Sequence, residues 1–547
     1  MLICAATVVS CDYLDTRYDS EITQGNIDNE YTRVIPMGYA AYGYMKNGLS
    51  EMDGNIAAAK SDEAAITSMS SDVRLFNNGA WSAYNNPDDP YEDCYKGIRA
   101  ANYFRNWSVR YKSMLMKDRD IVSDGGTEYR RDVENAAWLR AESKVLIAWY
   151  YFELIKRYGD VPLYKDVPSG KEFLPRSPYQ EVAQYAVDEI DSVRDSLAVN
   201  WNENSSYFGR FDLGAALALK SRILLYAASP LNTEGMTGSQ TEERWTEAAK
   251  AAADVIALGR YRLADDYSSL FTGNTSSNPE IILSRMNSAS NSLETSNYPI
   301  ATPGGNSGIT PSQNLVDAYE WTGPEDPDNP FANRDPRLTA TIVTNGSTWN
   351  GRTIDISENG TDSYRTLNSS RTGYYLKKYL TDGLVLTQGQ TAIHQWVYIR
   401  YAEILLNFAE AANEAWGPDQ TDATAGMSAR SALNMVRNRA GLEDVDLTDY
   451  SGTNDTERMR NAIKAERRVE LAFEDHRYWD LLRWKDGDRL GDDIRGIRAD
   501  DNGDGTFSYT EITVESRIFD ESRMYRYPIP FTEISKSNGV LTQNQGW

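Results

Sequence analysis

At 547 residues, with 41% hydrophobic and 25% charged side chains, the chain has the composition of a globular protein, and its length allows one or two domains. A formal charge of −24 repels a phosphate backbone, and no Lys/Arg cluster is large enough to offset it, which excludes nucleic-acid binding. Three Cys and two His offer neither a disulfide framework nor zinc-type spacing, whereas 13 Trp and 35 Tyr are plentiful and suit both packed cores and sugar-stacking surfaces.

The chain starts with MLICAATVVSC, an apolar run in which Val8, Val9 and Ser10 lead to Cys11, and the polar DYLDTRYDSE comes directly after it. This is the pattern of a secretory h-region ending at a bacterial lipoprotein cleavage site. Residues 1–10 are therefore expected to be the remnant of a longer signal, Cys11 the lipidated residue, 11–28 a tether and 29–547 the functional body. A buried N-terminal strand accounts for the apolar run but not for the abrupt change at Cys11. No later stretch approaches 18 consecutive apolar residues, so attachment to a membrane is expected through lipid only.

Helical periodicity dominates the chain beyond the tether. Trp138, Ala141, Val145, Ala148, Phe152 and Ile155 recur three or four apart on one helix face, and Gly159 and Pro162 stop that helix. Asp212 caps a helix through Leu213, Leu217, Leu224 and Ala227 that ends at Pro230, and a partner is expected from Trp245 to Leu258, closed by Gly259. From about 260 to 395 the texture changes to Gly, Asn, Ser, Thr and Pro, the composition of loops and short hairpins. Val397, Tyr401, Ile404, Leu405, Phe408 and Ala412 then form a stripe stopped by Gly417 and Pro418, and Ala429, Leu433, Val436 and Ala440 form another stopped by Gly441. The expected fold is mostly α: tetratricopeptide-like helix pairs in an N-terminal part, about 29–260, and a C-terminal part, about 396–547, with a large irregular insertion carrying short strands between them.

Four stretches, in order, carry a family resemblance: DYLDT after the cysteine; RAESKVLIAWYYFELIKRYGDVPLY with its YGDVP turn; the pair RYAEILLNFAEAANE and ERRVELAFEDHRYWDLLRW; and the terminal YPIPFTEISKSNGVLTQNQGW. Together they resemble the SusD/RagB proteins over nearly the whole chain. The resemblance implies a surface lipoprotein that binds oligosaccharide on an irregular face. It also implies a partner, a TonB-dependent outer-membrane barrel of the SusC type, over which the lipoprotein sits as a lid.

A sugar ring presents C–H groups to an aromatic face and hydroxyls to planar polar groups. Trp81, in the polar NNGAWSAYNNP that no helical stripe claims, is the leading platform, and the resemblance places a binding aromatic in this early region. Asp53 and Asn55 in EMDGNI and Asp62 in KSDEA are hydroxyl-binding candidates; Tyr298, Trp321 and Arg371 join them from the insertion. Glu466, Glu470 and Glu474, four apart, are expected on one helix face, compensated by Arg467, Arg477 and Arg483 with Arg400 or Arg437. That reads as a structural ion network, because a glycosidase needs two carboxylates facing each other across a cleft. A glycoside hydrolase using some other carboxylate pair and a helical-repeat scaffold for protein partners are the alternative functions. No nucleophile elbow, HExxH or phosphate loop occurs.

In DDNGDGTFSYTE, Asp500, Asn502, Asp504, Gly505 and Glu511 occupy positions 1, 3, 5, 6 and 12 of an EF-hand-like loop, with the Thr506 carbonyl and Ser508 at the intervening positions. A structural Ca²⁺ is one reading of this spacing. The other is a metal-free hairpin turn, since TFSYTEITVES reads as a strand that carries Glu511 away.

Overall fold

The computed structural model describes residues 30–547 apart from 120, 123–124, 169–172 and 202–205. The signal remnant, Cys11 and the tether lie outside the described residues.

The scaffold is a succession of helices, each packed on the next. After α1 (Tyr31–Ala40) come β1 (Ala64–Ile66), α2 (Tyr91–Trp107), α3 (Tyr111–Asp118), α4 (Thr127–Tyr158), α5 (Tyr179–Asp191), α6 (Leu213–Ala228) and α7 (Gly238–Ala257). In the C-terminal half come α8 (Tyr401–Trp416), α9 (Ala429–Arg439), α10 (Asp455–Glu470) and α11 (Arg477–Arg483). Neighbours pair as α2 with α4, α4 with α5, α5 with α6, α6 with α7, α7 with α8, and α8 with both α9 and α10. The C-terminal half of α4 is apolar all round, with Val145 to Phe152 buried without a break, because helices cover it on several sides. It ends where the sequence predicts: Gly159 takes φ 71° and its N–H bonds the Ile155 carbonyl at 3.1 Å. Asp212 caps α6 through the Ala215 N–H at 2.8 Å.

Three sequence expectations need correction. Helix α7 begins at Gly238, ahead of the expected Trp245, because Thr237 and Gln240 form a reciprocal capping box. Val397 belongs to a strand, since helix α8 starts only at Tyr401. Glu474 is not on the helix of Glu466 and Glu470, which ends at Glu470; Phe473 and Asp475 then take positive φ of 64° and 61° and turn the chain.

The insertion leaves the stack after α7 and rejoins it at α8, two helices that pack directly on each other. Its neck is a two-stranded antiparallel ribbon, β2 (Ile281–Met286) with β4 (Gln395–Arg400), in which Arg400 stands opposite Ile281. Within it, β3 (Ile309–Pro311) pairs with β1 from the N-terminal part, so the insertion folds back over the loops beyond α1. A longer hairpin, β5 (Ile494–Asp501) with β6 (Phe507–Glu515), comes after α11. Most apolar side chains form one large core, and a smaller second cluster of Tyr31, Val34, Ile35, Phe104, Met114, Leu115, Ala136 and Leu139 closes the N-terminal end.

Candidate functional site

The predicted site residues separate into buried and open groups. Trp81 is only 2% exposed: its ring stacks on Phe76 at 4.8 Å and meets Tyr527 at 4.8 Å and Trp547 at 4.5 Å. A platform needs a free face, so the expectation for Trp81 is corrected to packing of the C-terminus against the 74–86 loop. The same loop does present an aromatic, three residues on. The Ser82–Asn85 bridge forms a tight turn that leaves Tyr84 77% exposed and stacked on Phe531 at 4.4 Å. The Asn-Asn-Pro that comes directly after Tyr84 is the local sequence feature of this turn.

Asn55, Asp62 and Tyr298 are likewise buried and internally satisfied. Asn55 exchanges amide hydrogen bonds with Asn297 at 2.9 and 3.0 Å. Burial alone would raise the Asp62 carboxyl, but Arg468 and Arg477, at 2.7 and 2.8 Å, hold it well below the ordinary carboxylate range. Tyr298 donates its hydroxyl hydrogen bond to the Thr381 carbonyl. None of the three is free to bind a hydroxyl.

Asp53 and Arg371 reach the surface near one another. Asp53 and Gly54 take φ of 52° and 73°, the geometry of an Asp-Gly turn, and the exposed carboxylate accepts from the Ser71 hydroxyl and, at 2.9 Å, from the Asp72 N–H. Arg371 donates to Glu515 at 2.5 Å and to the Val514 carbonyl at 3.0 Å; Arg74, from the segment that begins at Ser71, donates to the same Glu515 oxygen at 3.4 Å.

Trp321 is the predicted candidate that stands in a large cleft. A groove of about 810 Å³ runs between the insertion segment 317–337 and the C-terminal loop 441–450, with helix α10 as its floor. Trp321 is half-buried in its wall, fixed by an antiparallel bridge to Arg334, whose guanidinium carbon lies 3.9 Å from the ring centre. Tyr450 lines the same groove, and beside Trp321 the Glu320 carboxylate accepts from Arg437 at 2.8 Å. Asp317, Asp444, Asp446 and Asp449 also line it. An indole and a phenol next to planar acceptors and a guanidinium, in a cleft within the usual 300–1,000 Å³ of ligand sites, can stack a sugar ring and bind its hydroxyls.

The acidic residues beneath the groove are locked. Arg337 donates to Glu466 at 2.5 Å and to Glu470 at 2.8 Å. Arg400 pairs with Glu280 at 2.7 Å, with Glu470 at 2.5 Å and with Glu474 at 2.7 Å, and Lys378 also holds Glu474 at 2.7 Å. The network expected around Glu466, Glu470 and Glu474 is present, with a different cast. Arg337, Arg439 and Lys378 join Arg400, and Arg437 stands 3.6 Å from Glu466, whereas Arg467, Arg477 and Arg483 pair with Asp480, Asp62 and Glu410. No spacing rule could single out Arg337, which arrives from the insertion.

The expected calcium loop is the turn of the β5–β6 hairpin. Asp500 stands opposite Ser508 and Ile497 opposite Glu511, so the strand pairing draws Glu511 away from the tip, where it binds Arg495 at 2.5 Å. At the tip Thr506 donates its N–H and hydroxyl to Asp504 at 2.9 and 2.7 Å, and the Asn502 amide donates to the Thr506 hydroxyl at 2.9 Å. Position 12 therefore stands on the strand, apart from positions 1, 3 and 5, which is the hairpin geometry of the second reading.

The helical stack thus carries a cleft framed by its insertion and its C-terminal loop, lined by an indole, a phenol and acidic side chains. Two family models match: the SusD family over residues 279–547, and a second, described as starch-binding and associating with the outer membrane, over 12–225. The chain belongs to the SusD/RagB family. SusD-like protein P2 of Formosa agariphila is 25% identical over 81% of this chain and 80% of its own length, and SusD-like protein P38 of the same organism is 26% identical over 66% and 69%. A crystal structure of a SusD-like protein from Bacteroides fragilis superposes with a TM-score of 0.76 at 26% identity, covering 96% of this chain and 99% of that one. A laminarin-binding SusD-like protein shares the fold with a TM-score of 0.62 at 21% identity, over 95% of this chain and all of that one. Among the described residues no helix is long and apolar enough to cross a membrane.

Proposed function

We propose that this protein captures an oligosaccharide at the cell surface, holds it without cleaving it, and delivers it to a SusC-like TonB-dependent transporter in the outer membrane, to which Cys11 attaches it through lipid. The observation that carries the reading is the Trp321 groove, where an aromatic wall faces hydrogen-bonding side chains drawn from two parts of the chain. Family membership and the carbohydrate-binding relatives support it. Against a hydrolase stands the arginine pairing of Glu320, Glu466 and Glu470, which occupies the carboxylates beside and beneath Trp321, while Asp444, Asp446 and Asp449 lie together on one loop and not on opposite sides of the groove. Electrophoresis through gels containing individual polysaccharides, paired with product analysis after long incubation, tests the reading. Retardation without product is expected; Trp321→Ala should weaken the retardation about tenfold or more, the equivalent of about 1.4 kcal/mol, at an unchanged unfolding temperature. Release of shortened glycan, or full retardation of the variant, overturns it.

A further inference from the structure

The walls of the Trp321 groove are unequal in charge. Eight of the side chains that line it are carboxylates and two are guanidiniums, and both guanidiniums are already committed. Arg337 holds Asp335 at 2.7 Å besides Glu466 and Glu470, and Arg437 holds Glu320 and stands beside Glu466. A third cation, Arg334, covers one face of Trp321, and its N–H groups donate to the carbonyls of Tyr319 at 2.7 Å and Pro330 at 3.2 Å. On the insertion side, the Asp317 carboxylate is paired with Arg495.

The excess of negative charge sits on the C-terminal loop. In GLEDVDLTDY the apolar Leu442, Val445 and Leu447 are buried, which leaves Glu443, Asp444, Asp446 and Asp449 exposed along the groove. Asp444 accepts from the Asn438 amide at 3.2 Å, and Asp446 accepts from the N–H and the hydroxyl of Thr448, both at 2.8 Å. Those donors are neutral, and among the described residues none of the four carboxylates forms an ion pair.

At physiological salt the screening length is about 8 Å, so a ligand in the groove responds to these bordering charges and little to the acidic bulk of the chain. Low-dielectric walls focus their field into the cleft. A sugar hydroxyl can donate to a carboxylate and form a charge-assisted hydrogen bond, whereas a uronate or sulfate group offers it only like charge. Nor is a cation free to receive such a group. Taking Arg337 or Arg437 from its partners would leave Glu466, which is itself buried, without its compensation.

We propose that the groove selects uncharged glycans and excludes polysaccharides that carry carboxylate or sulfate groups, with loop 443–449 as the element that discriminates. The inference rests on the carbohydrate-binding reading and adds the chemical class of its ligand. Retardation gels are cast with neutral amylopectin, laminarin, galactomannan or hydroxyethylcellulose, and with acidic polygalacturonate, alginate, chondroitin sulfate or carboxymethylcellulose. Retardation by at least one neutral polymer and by none of the acidic ones is expected. The neutral polymer retained is then converted to a carboxymethyl derivative and, as an uncharged control of similar size, to a hydroxyethyl derivative at equal low substitution. At low salt the parent should bind the carboxymethyl form about tenfold more weakly than the hydroxyethyl form, the ratio shrinking as salt rises. Glu443→Gln with Asp444→Asn, Asp446→Asn and Asp449→Asn keeps the side-chain sizes and the acceptors for Asn438 and Thr448, and should reduce the ratio to about threefold or less at an unchanged unfolding temperature. Retardation by any of the acidic polymers, equal binding of the two derivatives by the parent, or a ratio that the four changes leave unaltered overturns the proposal. Retardation by no polymer at all would instead count against the function proposed above.

Discussion

Arg400 Nη1 lies 2.7 Å from Glu280 Oε1, joining the last residue of the strand that leaves the insertion to the residue before the strand that enters it. The Tyr401 N–H completes the junction on the Glu280 carbonyl at 2.8 Å. Because Arg400 also serves Glu470 and Glu474, removing it takes one cation from each of three buried carboxylates, which are left with Arg439, Arg337 and Lys378. Arg400→Ala is expected to lower stability by about 3–5 kcal/mol in urea unfolding, the usual result of breaking a buried pair. A loss below 1 kcal/mol would show that water reaches the network.

Stability should respond to pH through Glu63. Burial pushes its carboxyl up to about 8, with the Phe473 N–H bond, 3.0 Å long, opposing. A folded-state value above the ordinary 4.5 means that the folded form holds the proton more tightly than the unfolded form, so this contribution is complete below about 4.5 and is lost as pH rises towards 8. His476 acts in the other direction: burial holds its imidazole well below the ordinary 6.5, so its contribution is present above that value and lost as pH falls. Other buried carboxyls are raised as well, Asp212 to about 6, so the Glu63 contribution is read as the difference between the parent and Glu63→Gln from about 6.5 to 8. Denaturation across that window should show falling stability in the parent and a flatter profile in Glu63→Gln, which keeps the acceptor for Phe473; parallel profiles would refute the assignment.

Trp81 and Trp321 should respond in opposite ways. Trp81→Ala empties the centre of a four-ring cluster and is expected to cost about 3–5 kcal/mol, read as a lower unfolding midpoint, while glycan retardation persists below that midpoint. Loss of retardation at an unchanged midpoint would restore Trp81 as a ligand platform.

Calcium should leave the protein unaltered. Calorimetric titration of chelator-treated protein is expected to give no binding heat at millimolar Ca²⁺ and no change in unfolding temperature. Saturable heat that Asp504→Ala abolishes would show that the hairpin opens to bind.

Legibility in the sequence tracked the range of the interactions. Helix ends set by local chemistry, such as the Gly159 stop and the Asp212 cap, were readable, as was the strand that carries Glu511. The start of α7 is encoded locally too, in the T-x-x-Q of Thr237 and Gln240, one turn or more ahead of its apolar stripe. Contacts closed across the chain were not readable: nothing near Trp81 announces Trp547, and nothing near Glu466 announces Arg337. Trp321 was nameable as a candidate, yet its groove depends on a loop more than a hundred residues later, at Tyr450. Exposed polar loops mislead for the same reason, since Asp62 and Asn55 become buried only when β3 of the insertion pairs with β1.

The pinched neck of the insertion makes the architecture modular. Helices α7 and α8 would touch whether or not residues 258–400 lay between them, and the cost of closing a loop grows only with the logarithm of its length. The helical stack thus acts as a chassis for a recognition cassette of another size and shape, provided that the cassette keeps the strand that pairs with β1 and the cations, Arg337 and Lys378, that hold Glu466, Glu470 and Glu474. Only part of the recognition surface would travel with such a cassette, because Tyr450 and Arg437 stay behind on the chassis. A chimaera carrying a relative's insertion should accordingly fold, and should display a specificity belonging to neither parent.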